Sequence, residues 1–252
     1  MGAPAAEKIA LLEPHASNFR RDDLFVELAK AYNQNFQPEK ALQLLLSHVF
    51  VACEGGEHAI ADQYMYAWFQ LGMAKKAAGD WAGCYELLEK ALTLPKSLGS
   101  GIWNRCKYVP YQFHMAECLE HMGKKEDAQS IYRMILDIEV EFFSNMHLRE
   151  LPYYQALCAE ALGLQQKAWN IMARAKRDWS FNLDRKDNGF FSTTPFFISF
   201  AQDPAIARRA YYQYLLGLVK LYEGDRERAK ALFRESYAGN SDSHFCHYYA
   251  HL

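Results

Sequence analysis

One short frame recurs along the chain and decides its fold class. In "LVKLYEGDRERAKALFRES" (218–236) an apolar-periodic stretch runs into Gly224, and a second such stretch begins after Asp225. "MAKKAAGDWAGCYELLEKAL" (73–92), "ECLEHMGKKEDAQSIYRMIL" (117–136) and "CAEALGLQQKAWNIMARA" (158–175) repeat the frame with Gly79, Gly123 and Gly163. "LAKAYNQNFQPEKALQLLL" (28–46) carries it with Phe36 where the glycine would stand. Such a period, looked for before anything else, marks a repeat architecture.

Small residues keep the same register. Ala41, Cys84, Ala128, Ala168 and Ala229 open the packed face of each second stretch, and Ala29, Gly72, Ala116, Ala156 and Gly217 stand twelve positions earlier. Small residues on two facing helices let the backbones approach closely. The frame therefore reads as a repeated αα-hairpin in which the glycine ends the first helix. Asp80 and Asp225 are natural N-caps of the second. Pro38 and Pro110 fall in the first turn of an expected helix, while Pro95, Pro195 and Pro204 fall between repeats, so none interrupts a helix interior.

These residues resemble the tetratricopeptide repeat, a helix–turn–helix unit of about 34 residues. Its W-x2-L-G pattern is met by Trp68, Leu71 and Gly72, and Leu28-Ala29 with Tyr32 reproduces its leucine, alanine and later tyrosine. Tyr85, Leu88, Tyr132 and Phe233 supply bulky second-helix positions. The resemblance implies an all-α, right-handed α-solenoid of about five hairpins, near 22–50, 62–94, 109–137, 149–179 and 208–238. Residues 1–21 form a lead-in, 22–252 a single solenoid domain, and 241–252 a C-terminal capping helix. Intervals between the small second-helix residues are 43, 44, 40 and 61, so lengthened helix or loop separates the repeats.

The segments between repeats, with "EGGE", "SLGSG" and "FFSTTPFF", resemble a second group. These are large bacterial proteins that join a β-rich domain, in the style of carbohydrate-active enzymes, to a C-terminal helical repeat region. That likeness implies a chain that is part of something larger, with any chemistry in the attached domain.

Composition narrows the partners. Half the residues are hydrophobic and 23% charged, as in ordinary globular proteins. A net charge of −2 offers no field for nucleic acid or an anionic membrane surface. No apolar run approaches the roughly 20 residues of a membrane span, and the N-terminus lacks the basic-then-apolar pattern of a signal peptide. The cysteines Cys53, Cys84, Cys106, Cys118, Cys158 and Cys246 form no CxxC pair and sit among apolar residues, which reads as reduced core cysteine in a cytoplasmic protein.

Chemistry-bearing motifs are sparse. "GSGIWN" lacks the third glycine of a dinucleotide fingerprint, and no GxxxxGK[ST] or GxSxG occurs. Glu117 and Glu120 share a first-helix surface and form the one carboxylate pair worth marking. His244, Cys246, His247 and His251 have a spacing that could hold zinc or nickel, but a capping helix over the exposed end of the array accounts for them. The expectation is no catalytic residue, no metal and no cofactor.

In the tetratricopeptide family the first helices line a concave groove, and ligands bind through fixed positions on them. Here those positions read Asp23, Val26, Lys30, Asn33 and Gln34 in the first unit, Tyr66, Phe69, Met73, Lys76 and Ala77 in the second, and Pro110, Phe113, Glu117, Glu120 and His121 in the third. The fourth gives Glu150, Tyr153, Leu157, Glu160 and Ala161, the fifth Tyr211, Tyr214, Leu218, Leu221 and Tyr222, and Tyr66, Phe69, Phe113, Glu117, Tyr153, Tyr211 and Tyr214 are the candidate groove residues. The lysine–asparagine clamp that grips a C-terminal carboxylate in some relatives is absent. The lining is aromatic, suited to a peptide or a glycan. Alternatively, the apolar segment 182–204 fills the groove and leaves a spacer or dimerisation module. The expectation is a non-catalytic scaffold for a protein or peptide, for a second copy of itself, or for an attached enzyme domain. Further readings are the accessory part of a carbohydrate-active enzyme and a peptide-sensing regulator.

Overall fold

The computed structural model describes residues 4–51, 57–99, 101, 108–139, 150–184, 204–240 and 243–251, and no strand occurs among them. The lead-in is itself helical: α1 spans Ala5–Leu12 and a 3-10 turn Glu13–Asn18 follows. Five hairpins succeed it: α2 (Asp22–Gln34) with α3 (Pro38–Leu46), α4 (Glu57–Ala77) with α5 (Trp81–Leu92), α6 (Val109–His121) with α7 (Lys125–Leu136), α8 (Leu151–Ala161) with α9 (Gln165–Asp184), and α10 (Pro204–Tyr222) with α11 (Arg226–Gly239). A last helix, α12 (His244–Ala250), follows them. The fold is all-α. The chain divides into two compact units, residues 1–128 and 129–252, with the boundary inside α7.

The turns repeat at atomic level. Gly79, Gly123, Gly163 and Gly224 have φ of 76°, 78°, 76° and 80°, and Phe36 takes 54° at the equivalent place. At each, the next residue's N–H donates to the carbonyl five residues back: Asp80 to Lys75 at 3.0 Å, Lys124 to Leu119 at 2.8 Å, Leu164 to Ala159 at 2.7 Å, Asp225 to Lys220 at 2.9 Å and Gln37 to Tyr32 at 2.9 Å. This is the Schellman closure, which needs one left-handed residue to satisfy the last carbonyls of the first helix. A phenylalanine there accepts the left-handed strain that glycine avoids. The second helices then start on caps: the Asp80 carboxylate accepts from Gly83 N at 2.9 Å, and that of Asp225 from Arg228 N at 3.2 Å.

The small-residue seam holds each hairpin shut. Ala29, Ala41, Cys84, Ala116, Ala128, Ala156 and Ala168 are 0% exposed and Ala229 is 1%. Gly72 and Gly217 are also buried. A Cβ added at Gly217 would stand 2.5 Å from Phe233 Cε1, and one at Gly72 would stand 3.3 Å from Leu88 Cδ2. The glycines are therefore where the second helix presses a large side chain onto the first.

The long intervals are partly helix. α4 begins at Glu57 rather than near 62, α9 runs to Asp184 rather than 179, and α10 begins at Pro204 rather than 208. Pro204 thus opens a helix instead of lying between repeats; at the first helical position its missing N–H costs nothing. Most of "EGGE" and all of "FFSTTPFF" lie outside the described residues, as do Cys53 and Cys106. Cys84, Cys118, Cys158 and Cys246 are buried free thiols.

Two substitutions separate turn from seam. Gly224→Ala meets nothing within 4 Å, so only the left-handed backbone resists it, and a loss of about 1 kcal/mol is expected. Gly217→Ala should cost more, because it drives Phe233 out of place, although alanine in an open helix site would gain about 1 kcal/mol. Urea denaturation ranks the pair. A stabilised Gly217→Ala would contradict the seam.

Candidate functional site

In the first unit, α4 and α6 are the first helices of neighbouring hairpins. Tyr66 and Phe69 are 1% exposed and Phe113 is 7%. Phe69 meets Tyr111 edge-on, with ring centroids 5.5 Å apart, and His114 at 5.7 Å. Above this floor, Lys76, in the last turn of α4 where a cation suits the helix dipole, pairs with Glu117 of α6. His114 Nδ1 lies 2.5 Å from the same Glu117 Oε2 and 3.1 Å from Lys76 Nζ.

The three groups fix one another's charge. Burial pushes the Glu117 carboxyl up, but His114 and Lys76 outweigh it and hold its pKa at about 2. Burial lowers His114 below its ordinary value, against the pull of Glu117. At neutral pH the ring is thus neutral, with Nδ1–H donating to an ionised Glu117. Nε2 is buried without a hydrogen-bond partner among the described residues. A carboxylate-backed histidine is the form of a general base. Here the base nitrogen is sealed from solvent, and Glu117 stays ionised, so it cannot serve as the acid of a pair with Glu120.

The adjoining first helices are joined by amides. Asn33 on α2, which is 0% exposed, donates through Nδ2 to the Gln63 carbonyl at 3.0 Å and to its Oε1 at 2.9 Å. Gln70 Nε2 reaches Asn33 Oδ1 at 3.4 Å.

In the second unit, Tyr153 is 5% and Tyr214 1% exposed, with Tyr214 against both Phe233 and Tyr249 at 5.9 and 6.2 Å. Tyr211 on α10 donates to Glu150 Oε2 at 2.6 Å, at the start of α8. Tyr222, at the other end of α10, donates to Glu160 Oε1 at 2.7 Å. Burial, then the hydrogen bond to Glu160, pushes the Tyr222 hydroxyl up to about 12. Glu150 is 7% exposed, and burial raises its carboxyl against the Tyr211 hydrogen bond.

Of the seven expected groove residues, Tyr66, Phe69, Phe113, Tyr153 and Tyr214 are therefore buried. Glu117 and Tyr211 keep partial exposure. Each is bonded to a side chain of the neighbouring first helix. His114, Gln63 and Gln70 escaped notice in the sequence. The signal for His114 was its place three residues before Glu117, with Lys76 in reach one repeat earlier.

The C-terminal residues form a cap. His247 is 1% exposed, Cys246 Sγ lies 3.1 Å from Ser236 Oγ, and Tyr249 stacks on Phe233 at 4.9 Å. His251 Nδ1 is 2.8 Å from the His247 carbonyl. Among the described residues, no three His, Cys, Asp or Glu side chains are grouped to hold a metal ion. No helix among them is long and apolar enough to cross a membrane.

Residues 111–138, the α6–α7 hairpin, match the family model of the tetratricopeptide repeat. The chain is also similar to solved structures. One is a set of nearly identical TPR-like repeats from Podosopora anserina, at 16% identity over 96% of this chain and 98% of that one, TM-score 0.35. A second is YrrB, a TPR protein with an unusual peptide-binding site, at 14% identity over 97% and 98%, TM-score 0.35. A third is a Rap protein complexed with competence and sporulation factor, at 13% identity over 96% and 62%, TM-score 0.36. These scores are low, and the fold rests on this chain's own helices.

Glu117 and Glu150 should give stability opposite pH slopes. Glu117 is lowered in the fold, so its contribution is full above the ordinary carboxylate range and lost as pH falls toward about 2. Glu117→Gln should therefore lower the melting temperature at pH 7 by a few degrees, and by much less as pH falls through about 2. Glu150 is raised, so its contribution is full in acid and lost as pH rises through its folded value. Glu150→Gln should raise the melting temperature at pH 8 and leave it unchanged at pH 4. Parallel pH responses in the two variants would contradict the assignment.

Proposed function

We propose that this chain is a non-catalytic scaffold that binds a protein or peptide along the first helices of its hairpins. The observation that carries this reading is that, within each unit, successive first helices bring polar side chains together at the surface: Lys76 with Glu117 in one unit, and Tyr222 with Glu160 and Tyr211 with the buried Glu150 in the other. They stand on a packed aromatic floor. The hairpin that matches the tetratricopeptide repeat supports the class, since that family implies partner binding on this face. Where a site offers preset donors and acceptors beside apolar area, a partner gains specificity from the first and affinity from the second.

The floor and the rim have different roles. Phe69 and Tyr214 are too enclosed to be read by a partner directly, and truncating them removes core packing, at about 3–5 kcal/mol for a buried phenylalanine. Contact falls to the rim. The sealed base nitrogen at His114 and the ionised Glu117 favour a binding role over turnover by this chain.

The test is an affinity capture with wild type beside Glu160→Lys/Tyr222→Phe, followed by reconstitution with the purified partner. Binding lost in the variant, with the melting temperature within two degrees or so of wild type, is the expected result. Phe69→Ala should lose binding only together with its fold. A reconstituted partner that binds the rim variant as tightly as wild type would place recognition elsewhere.

A further inference from the structure

The outer face of α11 carries a basic stripe that the fold does not use. Arg226, Lys230 and Arg234 follow one another at four-residue spacing, so they share one side of the helix. Among the described residues none of them has a carboxylate within ion-pair distance or a side-chain hydrogen bond. The neighbouring acids are engaged elsewhere: Glu223 pairs with Lys176 and Lys220 at 2.6 Å each, the Asp225 carboxylate caps α11, and Glu235 accepts from Gln213 at 3.0 Å. Glu227 borders the stripe. The buried face of the helix, with Ala229, Leu232, Phe233 and Ser236, is separate from it.

The stripe also works against its own helix. Arg226 stands at the first position of α11, where the dipole disfavours a cation, so helix stability does not account for it. At its far end Arg234 lines a cavity of about 410 Å³ together with Tyr237, Ala238, Ala250 and His251.

We propose that this face is a second binding surface, distinct from the first-helix rim, and that it takes an acidic peptide segment of a partner protein. Cations four residues apart on a helix lie about 6 Å apart along its axis. Alternate side chains of an extended chain lie about 6.6 Å apart on one side. Three alternating carboxylates therefore match the stripe, and the next side chain on the same side, two residues beyond the last of them, reaches the cavity, whose Tyr237 ring and Ala238 and Ala250 methyls suit an apolar side chain. A nucleic-acid backbone fits less well: the cations cover only about 12 Å, and the chain's net charge is −2.

The experiment uses a fluorescently labelled peptide, acetyl-Glu-Ser-Glu-Ser-Glu-Ser-Leu-amide, titrated with the full chain in low salt. Wild type should bind it, and Arg226→Gln/Lys230→Gln/Arg234→Gln should weaken it by about tenfold or more, as expected of several exposed pairs acting together. Binding should also weaken between 50 and 300 mM salt. Circular dichroism should show an unchanged or slightly raised melting temperature in that triple variant, which separates lost binding from lost fold. Glu160→Lys/Tyr222→Phe should bind the peptide like wild type, so this surface and the first-helix rim fail independently. No binding by wild type, equal binding by the triple variant, or tighter binding of a twelve-residue oligothymidine than of the peptide would each overturn the proposal.

Discussion

The close approach of two helices at a pair of small residues is the constraint from which the rest follows. At Gly217 the second helix lays the Phe233 ring where a Cβ would be, and at Gly72 Leu88 does the same less tightly. Two helices pressed this closely and antiparallel need an abrupt reversal between them. The left-handed turn residue and the aspartate cap provide it. Seam, turn and cap are thus one device, repeated, and each part is recognisable because the others require it.

What lies between hairpins obeys a different rule. Within each unit, first helices meet through rings below and polar pairs above: Lys76 with Glu117 in one, Tyr211 with Glu150 and Tyr222 with Glu160 in the other. The side chains suited to gripping a partner are already gripping each other. Such groups hold their geometry before any ligand arrives, so less side-chain entropy is left to lose on binding. For the scaffold proposed above, that preorganisation favours specific recognition over an open apolar trough.

Much of this was legible in the chain. The glycine frame, the small pairs and the aspartate caps are local features with steric causes, and they fixed the hairpins and the all-α class. Helix ends were less legible, because the extensions in α4, α9 and α10 share the composition of the segments beside them. The state of the aromatic positions was not legible at all: Phe69 at a first-helix position reads the same whether it faces a ligand or the next hairpin, and only packing decides. His114 shows the opposite failure. Its only signal is the spacing to Glu117 and Lys76, and that spacing acquires meaning once the fold sets the two around the ring.

The claim that first-helix polar residues tie neighbouring hairpins is tested most directly by a double-mutant cycle. Lys76→Met, Glu117→Gln and the double variant would be compared with wild type by urea denaturation at pH 7. The partly buried pair, at 24% and 29% side-chain exposure, should show a coupling of about 1 kcal/mol or more. Additive effects, with coupling near zero, would mean that the two side chains are merely adjacent and that the rim is free to rearrange around a partner.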